Sequence, residues 1–257
     1  MSRGLGDVYK RQLETNSGLI EYLNSNYTSD TLFIIDSNLS DINIDEKVNA
    51  RVSYFEIKED TKNLASVEKI WDLLFEQNLN RSSEIVIIGG GVLLDVCAFA
   101  SSTFKRGISF SFVPSTLLSM VDASHGGKNG FNNTYGKNQI GTFTLPERVI
   151  ICYELLDTLH IDNYKDGLIE LIKHGMIANE KIFNSMITQA GFNVDFETIK
   201  QGINVKMNII NEDFLEGNKR KLLNFGHTVG HIIEKDSNYE VTHGPVSYTH
   251  LTLPTTR

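Results

Sequence analysis

The sequence predicts an α/β domain built on a largely parallel sheet, followed by a domain made of helices. Three observations carry that expectation. Short, wholly apolar runs bounded by turn residues alternate with helix-period segments over residues 13–160. A triple glycine at 89–91 stands between one such run and the helix after it. From Tyr164 onward each periodic segment repeats at the helical spacing instead.

Taken in order, "TLFIIDSN" reads as a buried strand closing on Asp36. "NLASVEKIWDLLFEQNL" follows, with Leu64, Val67, Trp71 and Leu74 at helical intervals. "EIVIIGGGVLLDVCAFASSTF" reads as strand, glycine turn and helix, and "ISFSFVPST" and "ERVIICYELL" supply further buried strands. The stretch "VPSTLLSMVDASHGGKNGFNNTYGKNQIGTF" reads as loop-rich. In the second half, "YKDGLIELIKHGMI", "EKIFNSMITQ", "FETIKQGINVKMNIINEDF" and "KRKLLNFGHTVGHIIEK" all carry helical periodicity. The two ends differ from the rest. "MSRGLGDVYKRQ" has no hydrophobic period, and "PVSYTHLTLPTTR" breaks in after His243, so both read as non-native text to be left out of fold reasoning. The expected division is a leader (1–12), an α/β domain (13–160), a helical domain (161–244) and a tail (245–257).

Composition narrows the function classes. An apolar share of 40% and a charged share of 22% are those of an ordinary globular protein. With 24 basic and 32 acidic residues the net charge is −8, so no nucleic-acid partner is expected. Functional cations must then be local, gathered in a pocket for an acidic ligand. No apolar run reaches the ~18 residues of a membrane span, and the first residues lack a secretory h-region. A cytoplasmic protein with no membrane partner is the expectation. Cys97 and Cys152 each sit in an apolar run, far apart, and read as reduced core thiols.

Without side chains, Gly89, Gly90 and Gly91 let the backbone approach a pyrophosphate, and the helix N-terminus favours its charge. The run is not G-x-G-x-x-G, and a tight strand-to-helix turn would use the same residues. Asp36 at a strand end suits a ribose hydroxyl and equally suits a turn. In the loop-rich stretch, Asp122, Lys128, Lys137 and Asn138 lie among glycines, which suits a loop folding over an anion. A glycine-rich surface loop with solvated lysines is the alternative, made less attractive by its length.

His227 and His231 stand four apart, on one face of a helix. Thr228 occupies the position where a zinc-protease helix carries glutamate, so two packed or capping histidines would serve as well. His243 changes the balance, as does Glu170 with Lys173 and His174 one turn later on the same face. One carboxylate and two histidines with an open position make a catalytic zinc arrangement.

The ordered segments "GGGVLLD", "FKRG", "PSTLLSMVDASHGGKNG", "GKNQIGTF", "IELIK", "KRKLLNFGHTVGH" and "HG" resemble the 3-dehydroquinate synthases of the sugar-phosphate cyclase group, from Thr31 to Gly244. The resemblance implies a Rossmann-like NAD-binding N-terminal domain. It also implies a divalent metal, zinc or cobalt, held between the domains by Glu170, His227 and His243. His231 would then face the substrate. NAD contacts are implied at Asp36, Glu59, Lys62, Gly89, Gly90, Gly91, Asp95, Ser115, Thr116, Lys137 and Thr158. Substrate contacts are implied at Asp122, Lys128, Asn138, Lys173, Lys206, Arg220, Asn224 and His231, with Lys128, Lys173, Asn224 and His231 nearest the chemistry. Arg106 of "FKRG" is implied to reach a neighbouring subunit's substrate phosphate, which makes a homodimer the expected assembly. The implied substrate is a sugar phosphate. 3-Deoxy-D-arabino-heptulosonate 7-phosphate becomes 3-dehydroquinate and phosphate through transient oxidation by NAD, β-elimination, re-reduction and aldol closure, an early step of aromatic amino-acid biosynthesis.

The chain departs from the family pattern at three places. Ser115 stands where Thr is usual, Asn129 follows Lys128 where Thr is usual, and "SHGG" in place of "SVGG" puts His125 beside the loop. After His243 the text stops following the family, so the chain reads as a C-terminally truncated member. Two other readings stay open: a related sugar-phosphate cyclase with another substrate, and a chain that binds nucleotide or a partner without turnover.

Overall fold

The apolar runs become parallel strands because each is covered on both faces, which removes any need for polar alternation. The computed structural model describes residues 9–188 and 194–225. Six strands, β1 (Tyr9–Leu13), β2 (Leu32–Asp36), β3 (Arg51–Phe55), β4 (Glu84–Gly89), β5 (Ser109–Pro114) and, later in the chain, β8 (Arg148–Cys152), form one sheet in the order β1-β8-β5-β4-β2-β3. All its pairings are parallel. Phe33, Ile34, Ile87, Val113 and Ile150 fill its centre and are buried. β1 pairs with β8 from Tyr9↔Arg148 to Leu13↔Cys152. Residues 9–12, expected to lie outside the fold as non-native text, pair instead as part of an edge strand, which needs no hydrophobic period of its own.

Helices α1 (Asn16–Asn26), α2 (Ile44–Lys47), α3 (Leu64–Glu76) and α4 (Gly91–Thr103) connect the strands. Thr15 and Asn63 cap α1 and α3 by accepting from the amides of Gly18 and Ser66. The inward stripe of α3 is Val67, Ile70 and Leu74, while Leu64, one residue past the cap, is exposed. Trp71 is partly buried and its indole N–H donates to the Ala100 carbonyl at 3.1 Å, which ties α3 to α4. Apolar nearly all round, α4 is buried from Leu93 to Ser101 except at Asp95.

The loop-rich reading of residues 113–143 needs correcting. Ser119–Ala123 forms a π-helical turn, and β6 (Lys128–Asn133) pairs antiparallel with β7 (Gly136–Phe143). Few β-branched residues mark these strands, so no propensity signal announced them. Backbone pairing makes them instead, anchored where Asn132 N–H donates to the Lys62 carbonyl at 2.7 Å.

The second half is helical as expected: α5 (Ile161–Ala178), α6 (Glu180–Thr188) and α7 (Phe196–Glu212) precede a 3-10 turn at Lys219–Asn224. That turn is all of "KRKLLNFGHTVGHIIEK" that falls among the described residues, apart from Phe225. Leu168 and Leu171 of α5, with Ile199 and Ile203 of α7, join the same core as the sheet. A smaller cluster of Ile182, Val205, Ile209, Ile210 and Leu223 fastens α6, α7 and the turn. Cys97 and Cys152 are free and buried, and burial pushes the Cys152 thiol up to about 11. Among the described residues no helix is long and apolar enough to cross a membrane.

Candidate active site

After β2 the chain steps outward to β3 and then returns to the other side of β2 as β4. Carboxyl ends of strands that diverge in this way leave a crevice, the usual ligand position in open parallel sheets. Asp36 ends β2 and Gly89 ends β4. A Cβ built on Gly89 would lie 2.7 Å from Leu93 Cδ2 and 3.2 Å from Asp36 Cβ, so no other residue fits without a shift. Gly90 caps α4, whose first amides have no acceptor within the helix. Ser115 N–H donates to the Gly89 carbonyl at 2.9 Å, and the hydroxyls of Thr116 and Ser119 lie 2.8 Å apart. Asp36, Gly89, Gly90, Gly91, Ser115 and Thr116 therefore lie together at the mouth of the sheet. The Asp36 carboxylate accepts from the Asn38 backbone and side chain at 3.0 and 2.9 Å, so its turn-forming use is realised here.

A second group ties the hairpin to α3 and α4. Buried Lys62 donates to Asp95 at 2.6 Å and to the Asn138 side-chain oxygen at 2.7 Å. Burial pushes the Asp95 carboxyl above its ordinary range, even against the neighbouring Lys62 ammonium. Glu59 accepts from Asn132 at 2.8 Å and faces Lys137 at 3.7 Å.

Beyond this group opens a cavity of about 750 Å³. Eight of the expected residues line it: Asp95, Asp122, Lys128, Lys137, Asn138, Lys206, Arg220 and Asn224. Lys206 of α7 reaches into the π turn, where its ammonium lies 2.6 Å from the Asp122 carboxylate and 2.5 Å from its carbonyl. Burial alone would raise the Asp122 carboxyl, but Lys206, Lys173 and His174 pull it well below the usual carboxylate range. Burial lowers Lys206 in turn, against the attraction of Asp122. Arg220 is 3% exposed and donates to the carbonyls of Phe214 at 2.5 Å and Gly126 at 3.1 Å. Gly126 has φ +103°, and a Cβ there would stand 2.5 Å from the Arg220 guanidinium. Glu216, also on the cavity wall, pairs with Lys128 and accepts from Asn224 at 2.9 Å. No sequence argument picked out Glu216. An acid in a glycine turn just before Lys219, Arg220 and Lys221 was the available signal, but its partner lies 88 residues away.

Behind Asp122, one face of α5 presents Glu170, Lys173 and His174, all buried. Lys173 pairs with Glu170. Single ligand atoms of Asp122, Glu170 and His174 lie within 4.8 Å of one another. Neither ring nitrogen of His174 has a hydrogen-bond partner among the described residues. Burial pushes its imidazole down to about 4, which leaves it neutral at ordinary pH. A buried carboxylate beside a neutral, unpartnered imidazole is a donor set that fits a divalent metal. His227, His231 and His243 lie outside the described residues.

Two expected residues stand apart. Arg106 is exposed on a left-handed turn beyond the far end of α4 from Gly91. Thr158 is exposed and its hydroxyl donates to the Leu155 carbonyl at 3.0 Å. Neither lines the cavity.

Comparison with known proteins places this architecture. The family model for the 3-dehydroquinate synthase N-terminal part matches residues 53–166, and that for its C-terminal part matches residues 167–248. The 3-dehydroquinate synthase of Pyrococcus furiosus is 44% identical over 186 residues, covering 71% of this chain and 55% of that protein. That of Helicobacter pylori is 40% identical over 215 residues, covering 81% and 63%. The chain thus spans little more than half the length of these relatives. A solved 2-deoxy-scyllo-inosose synthase, complexed with carbaglucose-6-phosphate, NAD+ and Co2+, matches with a TM-score of 0.81 at 25% identity, over 93% of this chain and 70% of that one. With adjoining matches to both parts of one family, over a switch-point crevice and a cation-lined cavity, the chain belongs to the 3-dehydroquinate synthase family.

Proposed function

We propose that this chain binds NAD and a divalent metal and serves the conversion of 3-deoxy-D-arabino-heptulosonate 7-phosphate to 3-dehydroquinate and phosphate. The observation that carries the reading is the gathering of Lys128, Lys137, Lys206 and Arg220 around one cavity in a chain of net charge −8. A substrate with both a carboxylate and a phosphate requires such local positive charge. The crevice at Asp36 and Gly89 suits NAD, since the glycine leaves the backbone bare beside the amide end of α4. Glu170 suits the metal, zinc or cobalt, with His227 and His243 as the further ligands that family membership suggests.

When bound, NAD would take and return a hydride, and the metal would ease loss of the hydroxyl proton. The chain's own groups do the positioning. Lys128, Lys206 and Arg220 hold substrate anions, and Asn138 and Asn224 offer neutral polar groups. Asp122, kept ionised by its lysines, accepts a hydrogen bond from a substrate hydroxyl. His231 faces the substrate. Arg106, exposed and away from this cavity, serves the neighbouring subunit's substrate in a homodimer. Identity of 40–44% to 3-dehydroquinate synthases, against 25% to the inosose synthase, favours the heptulosonate over other sugar phosphates.

The test is incubation with the heptulosonate phosphate, NAD and zinc. One phosphate is expected per substrate consumed, without net NADH, and Glu170→Ala should abolish its release. Net NADH without phosphate would instead mark a dehydrogenase. Bound NAD with no phosphate released would mark a chain that binds without turnover.

A further inference from the structure

His125 follows the π turn and precedes Gly126 and Gly127, whose φ values of +103° and +70° reverse the chain toward β6. Such a stretch has wide backbone freedom unless something anchors it. Continuing the turn as α or π helix would aim the Ser124 or His125 amide at the Met120 carbonyl. Both amides go elsewhere, Ser124 N–H to the Ser119 carbonyl at 3.1 Å and His125 N–H to the Asp122 carbonyl at 3.0 Å. The His125 side chain takes their place, with Nε2 2.9 Å from the Met120 carbonyl. A carbonyl only accepts, so Nε2 carries the proton and donates. The residue is buried, 4% exposed, on the wall of the anion cavity.

The carbonyls on either side of this anchor hold two buried cations of the cavity wall. Lys206 donates to the Asp122 carbonyl at 2.5 Å, and Arg220 to that of Gly126 at 3.1 Å. Among the described residues, Lys206 spends two of its three protons on Asp122, and Arg220 two of its five on carbonyls. The other protons meet an anion in a fixed direction only while those carbonyls stay in place. We propose that His125 is a positioning residue of the cavity, whose imidazole locks the turn that aims Lys206 and Arg220. This rests on the reading of the cavity as a site for substrate anions. Valine, usual here in the family pattern, has no donor, so the anchor is this chain's own.

The experiment titrates inorganic phosphate and, separately, NAD into the full chain and reads binding by calorimetry. His125→Val is expected to weaken phosphate binding about fivefold, the worth of one net hydrogen bond, with NAD affinity unchanged. His125→Gln, whose amide N–H reaches the Met120 carbonyl as Nε2 does, should restore it to within about twofold. His125→Asn, whose amide ends where Nδ1 stands, should not. Unchanged phosphate affinity in His125→Val overturns this inference alone. Rescue by His125→Asn and not by His125→Gln overturns it too, because the ring would then touch the anion itself. So does an equal fall in NAD affinity, the mark of a general packing defect. Should the variants not fold, nitrogen NMR of the labelled parent chain decides the matter. There His125 is expected with a proton on Nε2, and a proton on Nδ1 alone overturns the inference. A parent chain that binds no phosphate overturns it together with the anion-binding part of the proposed function.

Discussion

The Lys206 ammonium meets Asp122 twice, at its carboxylate 2.6 Å away and at its carbonyl 2.5 Å away, and so pins α7 to the π turn between β5 and β6. The lysine is nearly buried, with 7% of its side chain exposed against 27% for the acid. Lys206→Met leaves the carboxylate without its main partner and is expected to cost about 3 kcal/mol. Urea unfolding measures this. Asp122→Asn combined with Lys206→Met should cost less than the two single losses added.

Gly126 is where Arg220 crosses the chain. Its φ is +103°, and a methyl group built there would stand 2.5 Å from the Arg220 guanidinium and 2.9 Å from Ile210 Cδ1, too close for either to stay in place. Gly126→Ala is expected to cost about 1–3 kcal/mol from backbone strain. It should also displace Arg220 and weaken binding of inorganic phosphate, read by calorimetry. Unchanged phosphate affinity would place Arg220 outside the anion site.

At Gly89 a side chain would strike Leu93 and Asp36. Gly89→Val should therefore lower NAD affinity at least tenfold, or about 1.4 kcal/mol. Phosphate binding in the cavity should be much less affected. Equal loss of both would point to a general packing defect.

Glu216 supplies the pH dependence. Burial opposes its charge, but Lys128 and Asn224 hold the carboxyl below its usual range. A depressed carboxyl contributes stability that is present above its unfolded value of about 4.3 and is lost as pH falls through the folded value. Lys128 is 46% exposed, so the pair is worth at most about 1 kcal/mol. Glu216→Gln should flatten this acid limb of the stability profile. At neutral pH it should raise phosphate affinity severalfold, since Lys128 is then released to the cavity. Weaker phosphate binding in that variant would show that Glu216 orders the lysine for its ligand.

The sequence by itself determined the parallel sheet, the glycine turn and the helical second half, and it named eight residues that line the cavity. These are local signals. Apolar runs mark doubly covered strands, three glycines mark a close approach, and Glu170, Lys173 and His174 share a face by helical spacing alone. Only the tertiary structure decided the rest. The 128–143 hairpin is held by backbone pairing that its glycines and asparagines do not advertise. The turn at Asp36 and the inward face of α3 likewise depend on neighbours. The charge pairs of the cavity depend on them most. Lys62 is joined to Asn138 across 76 residues, Lys128 to Glu216 across 88 and Lys206 to Asp122 across 84. No local pattern encodes such pairings, because burial and charge neutralisation are settled only when distant segments pack together.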